Sequence, residues 1–271
     1  MSIKLVATDI DGTLLRSDGT VSPRTRTALR SAAQAGLHVA FVTGRPPRWL
    51  DVLAGPTGYD GIAIGANGAV LYDVGTEEIV SAHLLAPEVM RTLGAELRAA
   101  FPQVAFAVEY GKGFAAEPEY VHEWEINPPY DRHGEPIPPP LVGSLAEITA
   151  EAGVKLLAKD RDLDADHFLE QATSLIGERA TLTHSSSFGL LEISAPGVTK
   201  ATGLEELATA LGCTAADVAA IGDMPNDLPM LAWAGRSYAV ANAHPDVQAV
   251  ADEITVSNDE DAVARLIESL L

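Results

Sequence analysis

Asp9 and Asp11 stand two residues apart at the end of an apolar run, Ile3, Leu5, Val6 and Ala7, and Gly12 follows them directly. The run predicts a buried parallel strand. The glycine lets the chain turn away sharply behind it. Two carboxylates placed this way lie close in space, and as bare anions they repel. A bound divalent cation would remove that cost. One carboxylate could then act as a nucleophile and its neighbour as a general acid and base. The same residues would also make a strand and an Asx-turn with no chemistry.

Three further groups have matching positions. Thr43 and Gly44 follow a second apolar run, residues 37–42. In an open parallel sheet, ligands bind outside the carboxyl ends of the strands, where a hydroxyl and a free backbone N–H can hold phosphate oxygens. Thr43, Gly44, Arg45 and Pro46 would equally make a turn and a helix start. Lys200 follows Thr199, a helix N-cap, so a cation opens that helix against its macrodipole. The placement makes sense if helix and lysine share an anion. Residues 218–221 form a third buried run and lead into Gly222, Asp223, Met224, Pro225, Asn226 and Asp227. Hard oxygen donors of this kind suit Mg²⁺. All four groups sit at strand ends or a helix start, in an order that can converge on one point.

The elements that must position them form an α/β pattern. Ser22 and Pro23 cap a helix whose apolar face is Leu29, Ala32 and Ala33, and Gly36 stops it. Residues 62–65 read as a third strand. Alternating strand and helix predicts a Rossmann-like parallel sheet with helices on both faces. The pattern changes near residue 83. Val89, Leu93 and Leu97 mark a helix, and strands flank a hairpin at Tyr110 and Gly111. Residues 128–140 hold six prolines and read as an irregular loop. A strand at 154–158, a helix at 164–176 and strands near 180–184 and 188–194 complete an α+β module. The core pattern resumes near 197, with Leu204, Leu207, Ala208 and Leu211 on one helix face. Ser257 to Glu260 has capping-box spacing for a final helix. The expected division is 1–82 and 186–271 for the core and 83–185 for an inserted α+β cap.

Composition narrows the function. The 271 residues are 47% apolar, which fits a globular chain with ample core. The single Cys213 rules out an internal disulfide and fits a reducing cytosol. No signal-type opening and no long apolar stretch is visible, so a cytoplasmic protein without a membrane span is expected. The net charge of −20 repels nucleic acid and anionic membranes. It also repels a phosphorylated metabolite, so a site for one must carry its own positive charge. The seven histidines show no zinc-type spacing, and His122, Glu123, Trp124 and Glu125 read as a solvated polar segment.

Taken together, the motifs resemble those of the haloacid-dehalogenase-like phosphatase superfamily. Asp9 to Leu15 matches its first motif, Thr43 to Arg45 the second, Lys200 the third, and Gly222, Asp223, Asn226 and Asp227 the fourth. The short interval between Asp9 and Thr43 leaves no room for a helical cap there. The long one between Thr43 and Lys200 holds the α+β module, an arrangement similar to the Cof-like branch. Residues 64–69, Asn242, Ser257 and Asn258 are also similar to that branch. Ala201 and Ala262 depart from it, since glycine is commoner at both positions. The resemblance implies a Mg²⁺-dependent phosphatase of small phosphorylated metabolites, sugar phosphates first among them. In it Asp9 attacks phosphorus and Asp11 serves as acid and base. Thr43, Gly44, Lys200 and Asn226 bind phosphate, and Asp9, Asp11 (through its carbonyl), Asp223 and Asp227 hold the metal. Arg45, Trp49 and Asn67 are candidates for substrate contact. A phosphotransferase and a non-catalytic sugar-phosphate-binding protein are the alternatives, and either a monomer or a homodimer fits.

Overall fold

The structure, a computed structural model, describes residues 3–120, 133, 135–136, 139–185 and 188–271. His122 to Glu125 and most of the proline-rich segment lie outside the described residues.

Strand β1 (Leu5–Thr8) is buried at every position, as its apolar run requires. Helix α1 (Pro23–Ala35) starts at Ser22, whose hydroxyl accepts the Thr25 N–H at 3.0 Å, and stops at Gly36 with φ 76°. Its buried stripe is Thr25, Ala28, Leu29 and Ala32. Ala33, expected on that face, is exposed one residue beyond the stripe. Strand β2 (His38–Phe41) and helix α2 (Pro47–Thr57) follow. Strand β3 (Ile62–Gly65) does not join the parallel sheet as a third strand. It pairs antiparallel with β4 (Val70–Asp73), which pairs with β5 (Glu78–Ala82). A single parallel bridge, Val42 to Ile64, ties it to β2's chain. The cause is a reversal at Ala66 and Asn67, both left-handed at φ 50° and 57°. It sends the chain back along β3 where the alternation would have required a helix.

The inserted unit contains α3 (Pro87–Ala100), β6 (Ala105–Tyr110), β7 (Gly113–Ala116), β8 (Leu141–Val142) and α4 (Leu145–Ile148). It continues with β9 (Lys155–Asp164), α5 (Ala165–Ile176), β10 (Thr181–Thr183) and β11 (Phe188–Ser194). The strands form a second sheet in the order β10-β11-β9-β6-β7-β8. Leu93 and Leu97 of α3 and Phe168 of α5 pack with Phe106 and Leu191 on one face of it. The hairpin at Tyr110 and Gly111 is where the sequence pattern placed it. Strand β11 pairs with β9, so 188–194 belongs to this sheet. The chain therefore returns to the core after Ser194, not at 186.

The return supplies α6 (Lys200–Ala210), β12 (Val218–Gly222), α7 (Leu228–Trp233), β13 (Arg236–Ala239), α8 (Pro245–Val250), β14 (Glu253–Ile254) and α9 (Ala262–Leu270). The main sheet is wholly parallel in the order β14-β13-β12-β1-β2. Helix α1 packs on α9 and α6 on α7, giving an α/β core with helices on both faces. Ser257 to Glu260 opens only one short turn, and α9 begins after Asp261, itself left-handed at φ 62°. No helix among the described residues is long and apolar enough to cross a membrane. Register then decides the site. Thr8 is level with both Phe41 and Ile221, so the residues after β1, β2 and β12 emerge side by side at one sheet edge.

Candidate active site

Asp9 is the first residue beyond β1 and is buried. Its Oδ1 lies 2.5 Å from the ammonium of Lys200, and Asp227 Oδ1 lies 2.5 Å from the same nitrogen. Lys200 is the first residue of α6, behind the Thr199 cap, and its side chain is fully buried. Burial disfavours its charge, but Asp227 and Asp9 outweigh that and hold its proton firmly. The anions that the Lys200 side chain meets here are these two carboxylates, where the sequence suggested a phosphate.

Asp227 uses its other oxygen to accept the N–H groups of Asp223 and Met224, at 2.8 and 2.9 Å. Asp223 Oδ1 accepts the Thr13 hydroxyl at 2.9 Å. The turn after β1 passes so close beneath Asp223 that a Cβ on Gly12 would lie 2.3 Å from its Oδ2. Gly12 also has φ 77°, so glycine is needed there on both counts.

Oxygens of Asp9, Asp223 and Asp227 lie within 4.8 Å of one another. Burial raises the proton affinity of Asp9 well above the carboxylate range, and Asp227, Asp223 and Asp11 add to it against the pull of Lys200. Burial and then the Asp227 charge push Asp223 up to about 7. Three carboxylates against one ammonium leave negative charge in excess, and all the donors are hard oxygens. That set fits a divalent cation such as Mg²⁺. Asn226 Oδ1 is the one buried side-chain polar atom among the described residues that lacks a hydrogen-bond partner, an acceptor left for a bound group.

Asp11 stands apart from this cluster. Its side chain is 57% exposed and ion-paired with Arg45, through Nε at 2.7 Å and Nη2 at 2.5 Å. The Asp11 carboxylate therefore stands outside the cluster of three, and the expectation that Asp11 helps hold a metal concerns its backbone carbonyl alone. Extended ψ at Asp11 and the left-handed Gly12 swing the chain out, and the guanidinium holds the side chain there. Thr43 is buried, and its hydroxyl accepts the Arg45 N–H at 3.1 Å. Gly44 leaves little room for a side chain, since a Cβ would stand 3.2 Å from both Asn67 Oδ1 and Glu192 Oε2. Asn67 links both units: its Oδ1 accepts from Asn226 Nδ2 at 3.0 Å, and its Nδ2 donates to Glu192 at 2.9 Å.

The second sheet contributes residues that sequence reading did not select. Lys155 of β9 donates to Glu192 of β11 and to the Gly44 carbonyl, the latter at 2.6 Å. Lys155 and the Ser185 hydroxyl hold the Glu192 carboxyl below its ordinary range in spite of burial. Arg48 of α2 pairs with Glu109 of β6, both buried. Thr13 was also not singled out. The available signal was a charge inside an apolar strand, as with Glu109 after residues 105–108, Lys155 before 156–158 and Glu192 within 190–193. Between the units lies a cavity of about 580 Å³, bordered by Asp9, Thr43 and Asp223 on one side and by Phe114, Leu157 and Leu190 on the other.

The model of the haloacid dehalogenase-like hydrolases matches residues 6–267, and the chain belongs to this family of enzymes. It is 30% identical over 270 residues to the 5-amino-6-(5-phospho-D-ribitylamino)uracil phosphatase YcsE of Bacillus subtilis, covering 98% of this chain and 95% of that protein. A haloacid dehalogenase-like hydrolase of B. subtilis of known structure matches with a TM-score of 0.81 at 26% identity, covering 99% of this chain and 100% of that one. The chain is also 30% identical over 272 residues to the chloroplastic endoribonuclease YBEY of Arabidopsis thaliana. That match covers 96% of this chain but only 45% of the plant protein.

Proposed function

We propose that the chain is a Mg²⁺-dependent phosphatase that hydrolyses the phosphate monoester of a small metabolite, of the sugar-phosphate kind, through an aspartyl-phosphate. The observation that supports this most is Asp9 itself: a carboxylate at the end of a central parallel strand, 2.5 Å from the buried ammonium of Lys200, at the edge of a cavity. Asp9 attacks phosphorus while the bond to the leaving alcohol breaks. Asp11, once released by Arg45 and protonated from solvent, gives that proton to the leaving alcohol. It then takes one from the water that hydrolyses the aspartyl-phosphate. The Thr43 hydroxyl, the Gly44 N–H and the second Nδ2 hydrogen of Asn226 hold the phosphoryl oxygens, and Lys200 balances the charge gathering around Asp9. Mg²⁺, held by Asp9, Asp223, Asp227 and the Asp11 carbonyl, would neutralise charge on the phosphoryl oxygens. The phosphatase named among the relatives supports the same reading.

Phosphate release from a panel of phosphorylated metabolites, with Mg²⁺ and with EDTA, tests it. Release is expected only with Mg²⁺, and Asp9→Asn should abolish it while leaving the melting transition in place. Substantial turnover by folded Asp9→Asn would rule out Asp9 as the nucleophile.

A further inference from the structure

Phosphoryl oxygens only accept hydrogen bonds, so a site for them must present hydrogens. A hydroxyl or a side-chain amide can donate or accept, and its neighbours decide which it does. In this chain two such decisions lead back to one buried ion pair, Lys155 of β9 and Glu192 of β11, on paired strands of the inserted unit.

The first path starts at Lys155. Its ammonium donates to the Gly44 carbonyl at 2.6 Å. That oxygen and the Arg45 N–H belong to one planar peptide. With the oxygen held, the N–H is directed at the Thr43 hydroxyl oxygen, 3.1 Å away. Thr43 thus accepts from its own chain, and its proton is left for the cavity that it lines. The second path starts at Glu192. A carboxylate only accepts, so Asn67 must face it with Nδ2, at 2.9 Å. This turns Asn67 Oδ1 toward Asn226, which must answer with its own Nδ2, at 3.0 Å. The second hydrogen on that nitrogen is left for the same cavity.

An ion pair this deep adds little stability over apolar side chains of similar size. What it adds here is direction. We propose, on the reading of the chain as a phosphatase, that Lys155 and Glu192 are positioning residues, which turn the Thr43 hydroxyl and the Asn226 amide so that both present hydrogens to the phosphoryl group. The inserted unit therefore completes a phosphate site whose other parts belong to the core.

The test measures kcat and KM for acetyl phosphate with Mg²⁺, inhibition by orthovanadate, which takes the five-coordinate shape of a phosphoryl group in transfer, and the melting transition. Lys155→Met with Glu192→Leu removes both charges together and leaves neither orphaned, so the melting transition is expected to stay in place. Its kcat should fall about tenfold or more, with vanadate inhibition weakened in step and KM changed much less. Asn67→Asp is the second probe, since aspartate also tolerates the left-handed backbone there. It still accepts from Asn226 but cannot donate to Glu192, and kcat should fall several-fold. Adding Glu192→Gln sets a donor opposite the new acceptor and should recover most of that loss. A folded Lys155→Met/Glu192→Leu protein with the kcat and vanadate inhibition of wild type would overturn the proposal. So would an Asn67→Asp/Glu192→Gln protein no faster than Asn67→Asp, which decides the matter if the first variant does not fold. Either result leaves the phosphatase reading standing. If wild type hydrolyses no acetyl phosphate, that reading fails and the proposal with it.

Discussion

Lys200 is the counter-charge for two buried carboxylates at once, and that makes it structural as well as chemical. Lys200→Met leaves Asp9 and Asp227 facing each other without a cation. In EDTA the variant should lose about 3 kcal/mol of stability, the cost of breaking a buried pair. Urea unfolding of wild type and variant measures it, and a loss under about 1 kcal/mol would contradict the buried pairing. Gly12 tests the same cluster from below. Gly12→Ala places a methyl group 2.3 Å from Asp223 Oδ2 and strains a backbone at φ 77°. Asp223 must then move. Mg²⁺ affinity by calorimetry should fall about tenfold or more, and unchanged affinity would remove Asp223 from the ligand set.

Whole elements depend on single polar contacts at their ends. Ser22→Ala deprives α1 of its cap and should cost about 1 kcal/mol, read from the denaturation midpoint. Asp217 does similar work ahead of β12. The Thr214 N–H first, then Lys4 and the Thr214 hydroxyl, hold its carboxyl down to about 2 from 3.8. Its pKa is depressed in the folded state, so its contribution is complete above the ordinary value. That contribution is lost as pH falls through about 2. Asp217→Asn should therefore flatten the fall in melting temperature on the acid side, and an unaltered acid limb would contradict this. Elements of this kind were readable in the sequence wherever local chemistry decides them: the Ser22 and Gly36 ends of α1, the Tyr110 and Gly111 hairpin, the buried run of β1. Strand β5 was not, because it is mostly exposed; β4 was passed over although Asn67 and Gly68, at φ 57° and 97°, form an Asn-Gly turn signal directly ahead of it. Asp9, Lys200, Asp223 and Asp227 were found because each follows a strand or opens a helix. Arg48 with Glu109 and Lys155 with Glu192 were not, because the partners are 61 and 37 residues apart in sequence, and only the folded sheet brings them together.

At the scale of the molecule, a net charge of −20 opposes any anionic ester that approaches the cavity. Salt screens that field. Raising ionic strength from about 20 to 200 mM at fixed Mg²⁺ should therefore raise kcat/KM, by about twofold or more. A fall would mean that a positive field near the cavity governs approach. Legibility also has a counterpart in time. Leu5 lies beside Val218 in the finished sheet, yet the two are made more than two hundred residues apart. At about 5–20 residues per second, a ribosome takes on the order of ten seconds or more to supply that neighbour. Throughout that interval the nascent chain carries β1 with one open edge, an adhesive surface in a crowded cell. Quality control during synthesis, and not the finished protein's marginal stability, is then the stage at which a weakened β12 would do its harm.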